Sequence, residues 1–255
     1  MGEGRILGPG DSHSDDVQNY FTKYHDAYRN SSSHATGADL PILIDNLFLP
    51  PGSRVLDAAS GTGHTALALA ALGHEVVGMD VTEAMLLDAR ALAQNRHLKV
   101  EWVQGNVEHL PWDSRTFQAV TCRRAAHHFA DPAQFIKESF RILKQGGKLG
   151  IADMTAPSQA IDALNIMERL RDQSHQRAMS ANEWTMLVVS EGFDIEYLQV
   201  WPEFLDPHDW LYPVPWDSTD GQAVIHKLYT APISEQLLHE GRFVKYRIVL
   251  AAKKP

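Results

Sequence analysis

The chain is poor in cysteine, with Cys122 alone among 255 residues. It cannot close a disulfide within itself, which fits a reducing cytoplasm. Long apolar runs are missing too. None approaches the ~18 residues of a membrane-spanning helix, and no leader-like apolar segment opens the chain. No membrane span is expected. Basic residues are in deficit, with 23 Lys and Arg against 32 Asp and Glu, a formal net charge of −9. That balance argues against a nucleic-acid partner; Arg123-Arg124 and Arg169/Arg171 are the local basic clusters. Internal repeats and low-complexity tracts are absent. What remains, 44% hydrophobic and 22% charged residues, is enough to bury one large core without staples.

Against that background one stretch organises the rest. Val55-Leu56-Asp57 leads through Ala58-Ala59-Ser60 into Gly61-Thr62-Gly63, and His64 precedes an Ala- and Leu-rich run. An apolar pair, a glycine turn and strong helix formers in series predict a buried strand, a tight turn and a helix capped by Gly73. Without Cβ atoms, Gly61 and Gly63 permit positive φ and close approach of a ligand. The helix N-terminus behind them offers N–H groups without intrahelical partners.

The alternation continues downstream. Residues 75–80 read as a second strand ending in Asp80, followed by a helix over 83–93 that Thr82 can cap. Residues 98–103 alternate apolar and polar as a third strand, and Gly105-Asn106-Val107-Glu108 forms a loop. A fourth strand spans 117–122. Asp131-Pro132 then supplies an N-cap and a first-turn proline for a helix that stops at Gly146-Gly147, before a fifth strand at 148–152. Upstream, Tyr20, Phe21, Tyr24 and Tyr28 mark one face of a helix over 17–29, read either as core or as a lid; a second helix covers 38–47. Later come a helix over 159–171, a helix opened by the Ser180–Glu183 capping box, and strands at 194–200 and 242–252. Such alternation predicts a doubly wound α/β fold, its mainly parallel sheet completed to seven strands by an antiparallel hairpin. Residues 1–14 are expected to be disordered, leaving 15–255 as one domain with lid elements near 17–47 and 158–180. Ligands of such sheets sit beyond the carboxyl ends of the strands. Asp57, Asp80, Asn106 and Arg123 all fall there.

Gly61-x-Gly63-x-x-Ala66 also fits the dinucleotide fingerprint. Asp57 argues against it, since a carboxylate at the mouth of the cradle repels a pyrophosphate and welcomes an ammonium group. S-adenosylmethionine carries such a group; NAD does not. The pattern V-L-D-x-x-x-G-x-G resembles the first motif of class I S-adenosylmethionine-dependent methyltransferases. Val77–Thr82, Gln104–Trp112, Ala125–Pro132 and Arg141–Gly147 extend the resemblance over roughly residues 50–155. The subgroup it looks most like is that of the ubiquinone and menaquinone biosynthesis methyltransferases and their small-molecule relatives. This implies a Rossmann-like fold, S-adenosylmethionine as cofactor, and methyl transfer to a small hydrophobic or aromatic acceptor on oxygen or carbon. It further implies Gly61, Thr62 and Gly63 along the methionine moiety, with Asp57 near its amino group. Asp80, with Val81 beside it, would bind the ribose hydroxyls, a role a carboxylate can fill bidentately. Asn106 and the Val107 N–H would meet the adenine. Many members carry Asp where Asn106 stands, and Gln145 replaces the usual proline. Read without the family, Asp57 could cap its turn, Asp80 the next helix, and Asn106 could close an Asx-turn.

Methyl transfer from a sulfonium is an in-line displacement in which the enzyme mainly aligns donor and acceptor. An oxygen or activated-carbon acceptor also loses a proton, and His127 and His128, just after the fourth strand, suit that task; His127 is the first choice. Packing and backbone hydrogen bonding is their other reading. Arg123 pairs either with the methionine carboxylate or within a structural ion pair. Trp184, Trp201, Phe204, Trp210, Tyr212 and Trp216 roof an acceptor pocket or fill the core. No metal-ligand spacing is found, and nothing selects an oligomeric state. Two other classes stay open: a binding protein that keeps the cofactor site without catalysis, and a nicotinamide-dependent oxidoreductase.

Overall fold

The structure, a computed structural model, describes residues 12–29 and 35–255. Helices α1 (Ser12–Arg29) and α2 (Asp39–Asp45) precede the first strand. The stripe of α1 folds as its spacing requires, with Tyr20, Phe21, Tyr24 and Tyr28 in ring pairs 4.9 to 5.4 Å apart. Because α1 begins at Ser12, residues 12–14 form its first turn instead of a disordered tail. Residues 1–11 of that expectation lie outside the described residues.

Strand and helix then alternate through β1 (Arg54–Ala58), α3 (His64–Ala71), β2 (Glu75–Asp80), α4 (Glu83–Asn95), β3 (Glu101–Gln104), β4 (Phe117–Arg123), α5 (Pro132–Ile142) and β5 (Leu143–Thr155). The remainder comprises α6 (Ile161–Arg171), α7 (Ala181–Ser190), β6 (Asp194–Leu205), α8 (Pro207–Leu211), α9 (Thr219–Thr230), β7 (Leu238–His239) and β8 (Arg242–Lys253). The sheet runs β3-β2-β1-β4-β5-β8-β6, with two-residue β7 paired to β8 as an eighth strand. The first five strands are parallel, and β8 is antiparallel to both neighbours. The expected doubly wound α/β sheet is therefore present. Its order reverses between β1 and β4, which opens a crevice at their carboxyl ends.

Burial follows from composition. From Val55 onward β1 is buried on both faces, as a central parallel strand should be. Leu56, Val77, Phe117, Val120, Phe135, Ile151 and Trp184 belong to the main core. A second core joins α6, α8 and α9, where Trp210 stacks on Phe243 at 4.3 Å. Two boundaries depart from the sequence reading. Helix α5 passes directly into β5 at Leu143, so Gly146-Gly147 lie within the strand. Helix α9 was not expected, because Gly221 in its first turn lowers helix propensity. The glycine is there for space: a Cβ would sit 2.1 Å from the Pro215 carbonyl oxygen. Among the described residues no helix is long and apolar enough to cross a membrane.

Candidate active site

Beyond the carboxyl ends of β1, β2 and β4 lies a cleft with about 1030 Å³ of empty space, partly open to solvent. The turn after β1 contributes Gly61, Thr62, His64 and Thr65 to its wall, and the end of β2 contributes Asp80 and Val81. Asn106 and Val107 come from the loop after β3, and Arg123, Arg124, His128 and Phe129 from the end of β4. Helix α1 closes one side with Val17, Phe21 and Tyr28.

The glycine turn is shaped from behind. Gly63 has φ 84°, and a Cβ there would meet the Trp102 ring at 2.6 Å. Gly78 in β2 makes room for the same ring. Gly63 thus packs against Trp102 and is not among the residues of the cleft wall. Gly61 differs: at φ +54° a Cβ would meet nothing within 4 Å. Its N–H donates to Asp80 Oδ2 at 2.8 Å, and the Thr82 N–H donates to Asp80 Oδ1 at 2.9 Å. Asp80 therefore fixes both the glycine turn and the start of α4 while lining the cleft. Burial raises its carboxyl pKa, and the backbone donors oppose the shift.

Asp57 faces the protein interior. It is 1% exposed and lies behind the turn, outside the cleft wall. Its carboxylate accepts from the Ala66 N–H (3.1 Å) and the Thr121 hydroxyl (2.9 Å), so it caps α3 from beneath. Burial pushes its pKa up to about 6 against the pull of Thr121, Ser60 and Ala66. Asn106 lines the cleft, yet its side-chain oxygen accepts from the Glu108 N–H at 2.8 Å, closing an Asx-turn. That bond leaves the oxygen's second lone pair for a ligand.

Arg123 lines the cleft and is also held in a buried ion pair. Arg123 and Arg124 both grip Asp39, the first residue of α2, each through Nε and Nη2 at 2.7 to 3.0 Å. All three side chains are buried. Asp39 lies far away in the sequence, and nothing local announced this pairing.

The two histidines separate by depth. His127 is absent from the cleft wall: its Nδ1 lies 2.6 Å from Asp153 Oδ1, and its backbone N–H donates to Asp153 Oδ2 at 3.0 Å. His128 lines the cleft, with its ring 4.1 Å from that of His127 and edge-on to Phe21 at 5.0 Å. The Ser174 carbonyl and hydroxyl both lie 3.1 Å from His128 Nδ1. A carbonyl only accepts, so Nδ1 carries the proton and Nε2 the lone pair. Burial and the charge of His127 hold the His128 pKa below its ordinary value. Behind Ser174 stands Asp172, which accepts its hydroxyl at 2.6 Å. Sequence reasoning missed Asp153, although an acid at the end of β5 repeats the signal of Asp57 and Asp80. It also missed Asp39, Ser174 and His64.

The six aromatics proposed as an acceptor roof do not line the cleft. Trp184 and Trp210 are core, Trp201 is half-buried near Leu43, and Phe204, Tyr212 and Trp216 are exposed elsewhere. No residue of the segment 158–180 enters the cleft wall, although Ser174 holds His128.

The cleft fits S-adenosylmethionine on its own residues. Gly61 leaves open space where a Cβ would stand, and the Asp80 carboxylate lines the cleft at the end of β2. The sequence profile of the family described as "Methyltransferase domain" matches residues 56–151. The chain is 34% identical to "Uncharacterized methyltransferase YcgJ" of Bacillus subtilis, over 75% of this chain and 77% of that protein. The crystal structure of YcgJ superposes with TM-score 0.78 at 29% identity, covering 86% of this chain and 99% of that one. A demethylmenaquinone methyltransferase of Clavibacter sepedonicus is 33% identical over 74% of this chain and 73% of its own length. Geranyl diphosphate C-methyltransferase from Streptomyces coelicolor, solved with S-adenosyl-L-homocysteine, shares the fold at TM-score 0.66 and 15% identity, over 97% of this chain and all of that one. The chain belongs to the methyltransferase-domain family and is an S-adenosylmethionine-dependent methyltransferase of Rossmann-like fold.

Proposed function

We propose that the enzyme methylates a small, hydrophobic or aromatic acceptor on oxygen or carbon, with His128 receiving the proton that the acceptor loses. The observation that carries this reading is the placement of His128: an imidazole with its proton pinned on Nδ1, lining a cleft beside Phe21, Tyr28 and Phe129. Aromatic and aliphatic groups on that wall favour a planar apolar acceptor. Relatives named demethylmenaquinone methyltransferases point the same way.

The donor supplies an activated methyl group on its sulfonium. Asp80 accepts from the ribose hydroxyls, and Asn106 with the Val107 N–H holds the adenine. Gly61 and Thr62 lie along the methionine moiety. Helix α1 excludes water from the acceptor side through Phe21 and Tyr28. His128 Nε2 accepts the acceptor's proton, and Asp153 fixes the neighbouring His127 ring, 4.1 Å away and tilted against that of His128.

A screen with methyl-labelled donor against quinone precursors, phenols and activated carbon acids tests the acceptor class. With the acceptor found, His128→Ala should lower kcat by roughly 10²-fold or more and leave donor affinity unchanged. Wild-type turnover in that variant would remove His128 from the chemistry. Methylation confined to polar amines would overturn the acceptor class.

A further inference from the structure

After α6 the chain runs through Asp172-Gln173-Ser174-His175 and lies against the turn that carries the two histidines. The Gln176 and Arg177 N–H groups donate to the His127 carbonyl at 2.9 and 3.0 Å. Asn165 anchors the same stretch, with its side-chain oxygen 2.7 Å from the Ala178 nitrogen and 2.8 Å from His175 Nε2. None of these residues lines the cleft.

Within this stretch Asp172 and Ser174 are 2% and 0% exposed. The Ser174 hydroxyl donates to Asp172 Oδ1 at 2.6 Å, so its one hydrogen is spent there. Toward His128, whose Nδ1 lies 3.1 Å away, the same oxygen can then only accept. The direction of the chain is thereby fixed: His128 donates to Ser174, and Ser174 donates to the carboxylate. The Ser174 N–H also donates to Asp172 Oδ1, at 2.9 Å. That bond closes an Asx-turn, which is the structural role of Asp172, and an asparagine would close it as well. The turn does not need the negative charge, and burying a carboxylate is costly. Its charge is felt by Tyr20, Tyr28, Arg171 and His128. The two phenols are held neutral by burial, and the Arg171 guanidinium bonds Glu168 and the Tyr212 carbonyl. His128 is the member of this group that the serine joins to the acid. Asp153, the other acid that favours protonated His128, is spent on the backbone and ring of His127.

We infer that Asp172 is a positioning residue: through Ser174 it holds the proton on His128 Nδ1 and stabilises the positive charge the ring gains when Nε2 takes the acceptor's proton. This rests on the reading of His128 as the proton acceptor. The acceptor's proton moves to Nε2, and its freed electron pair takes the methyl group as the carbon–sulfur bond breaks. On product release the imidazolium returns the proton to water. Asp172 keeps its charge throughout.

Asp172→Asn tests this, because it can keep both hydrogen bonds from Ser174 and removes only the charge. The assay uses the acceptor found in the screen and analogues of it graded in acidity. For analogues un-ionised at the assay pH, kcat should fall roughly tenfold. For analogues already ionised, which need no base, kcat should stay within about twofold. Acceptor KM and the calorimetric affinity for S-adenosylmethionine should stay at wild-type values. Ser174→Ala cuts the bridge but leaves the Ser174 carbonyl on Nδ1; it should show the same split, and it carries the test if the asparagine variant does not fold. Without any acceptor, the His128 Nδ1 proton should move upfield in the NMR spectrum of Asp172→Asn, as its hydrogen bond loses charge assistance. A merely structural Asp172 would slow ionised and un-ionised analogues alike, so equal loss across the series, no loss, or an unmoved resonance overturns the assignment. Wild-type turnover in His128→Ala removes the base reading and this assignment with it. A slow His128→Ala beside an Asp172→Asn of wild-type rate removes the assignment alone.

Discussion

Replacing Asp39 by alanine removes a carboxylate shared by Arg123 and Arg124, and the structure sets the scale of the damage. Four charge-assisted contacts of 2.7 to 3.0 Å converge on it, in a site where all three side chains are nearly solvent-free. Breaking a buried ion pair from one side costs about 3–5 kcal/mol, mostly because the remaining charge stays desolvated. For a chain of this size that corresponds to a fall in Tm of roughly 6–20 °C. Asp39→Asn keeps the volume and removes the charge, so it should lose most of the same stability. Burial by itself would raise the Asp39 pKa, but the hydrogen bonds and charges of Arg124 and Arg123 prevail and hold it well below the usual carboxylate range. A depressed folded-state pKa contributes stability that is complete above the unfolded value near 3.9 and is lost as pH falls further. The gap between wild type and Asp39→Ala in urea unfolding should therefore be constant above about pH 5 and shrink below about pH 4. A loss under about 1 kcal/mol at neutral pH would refute the reasoning, since that is the range of exposed pairs.

Two further changes follow from the same geometry. Gly63→Ala puts a Cβ 2.6 Å from Trp102 at a residue with φ 84°; it should destabilise by about 2 kcal/mol or more and weaken donor binding by displacing the turn, and wild-type values in thermal unfolding and calorimetry would show that the turn has slack. Burial and the charge of His127 keep the His128 pKa below its ordinary value of about 6.5, so the neutral, proton-accepting form persists below that pH. The acid limb of kcat/KM should accordingly fall below pH 6.5, and a limb centred at or above that value would exclude His128 as the titrating base.

Much of the fold was legible because burial patterns are local. The apolar run of β1, the acid ending β2, the Asp131-Pro132 start of α5 and the Ser180–Glu183 capping box each announce themselves within a few residues, and the structure places them as read. The cleft residues contributed by strand ends were legible for the same reason: a parallel sheet collects them at one edge. What the sequence hid were choices between partners distant in the chain. Whether Asp57 faces a ligand or the amide of Ala66 depends on the tilt of α3, and Arg123 had no visible claim on Asp39, 84 positions away. The order of the two histidines in depth depends on a short 3₁₀ turn over Ala126–His128, which turns one ring to Asp153 and the other to the cleft.

The most direct test is calorimetric titration of S-adenosylmethionine into the wild-type protein and Asp80→Ala. Wild type should bind at one site, and the variant should bind more weakly by about 1–3 kcal/mol, the cost of losing a charged hydrogen-bond partner. Absence of binding to the wild type, or equal affinity in both proteins, would contradict the placement of the donor against the end of β2.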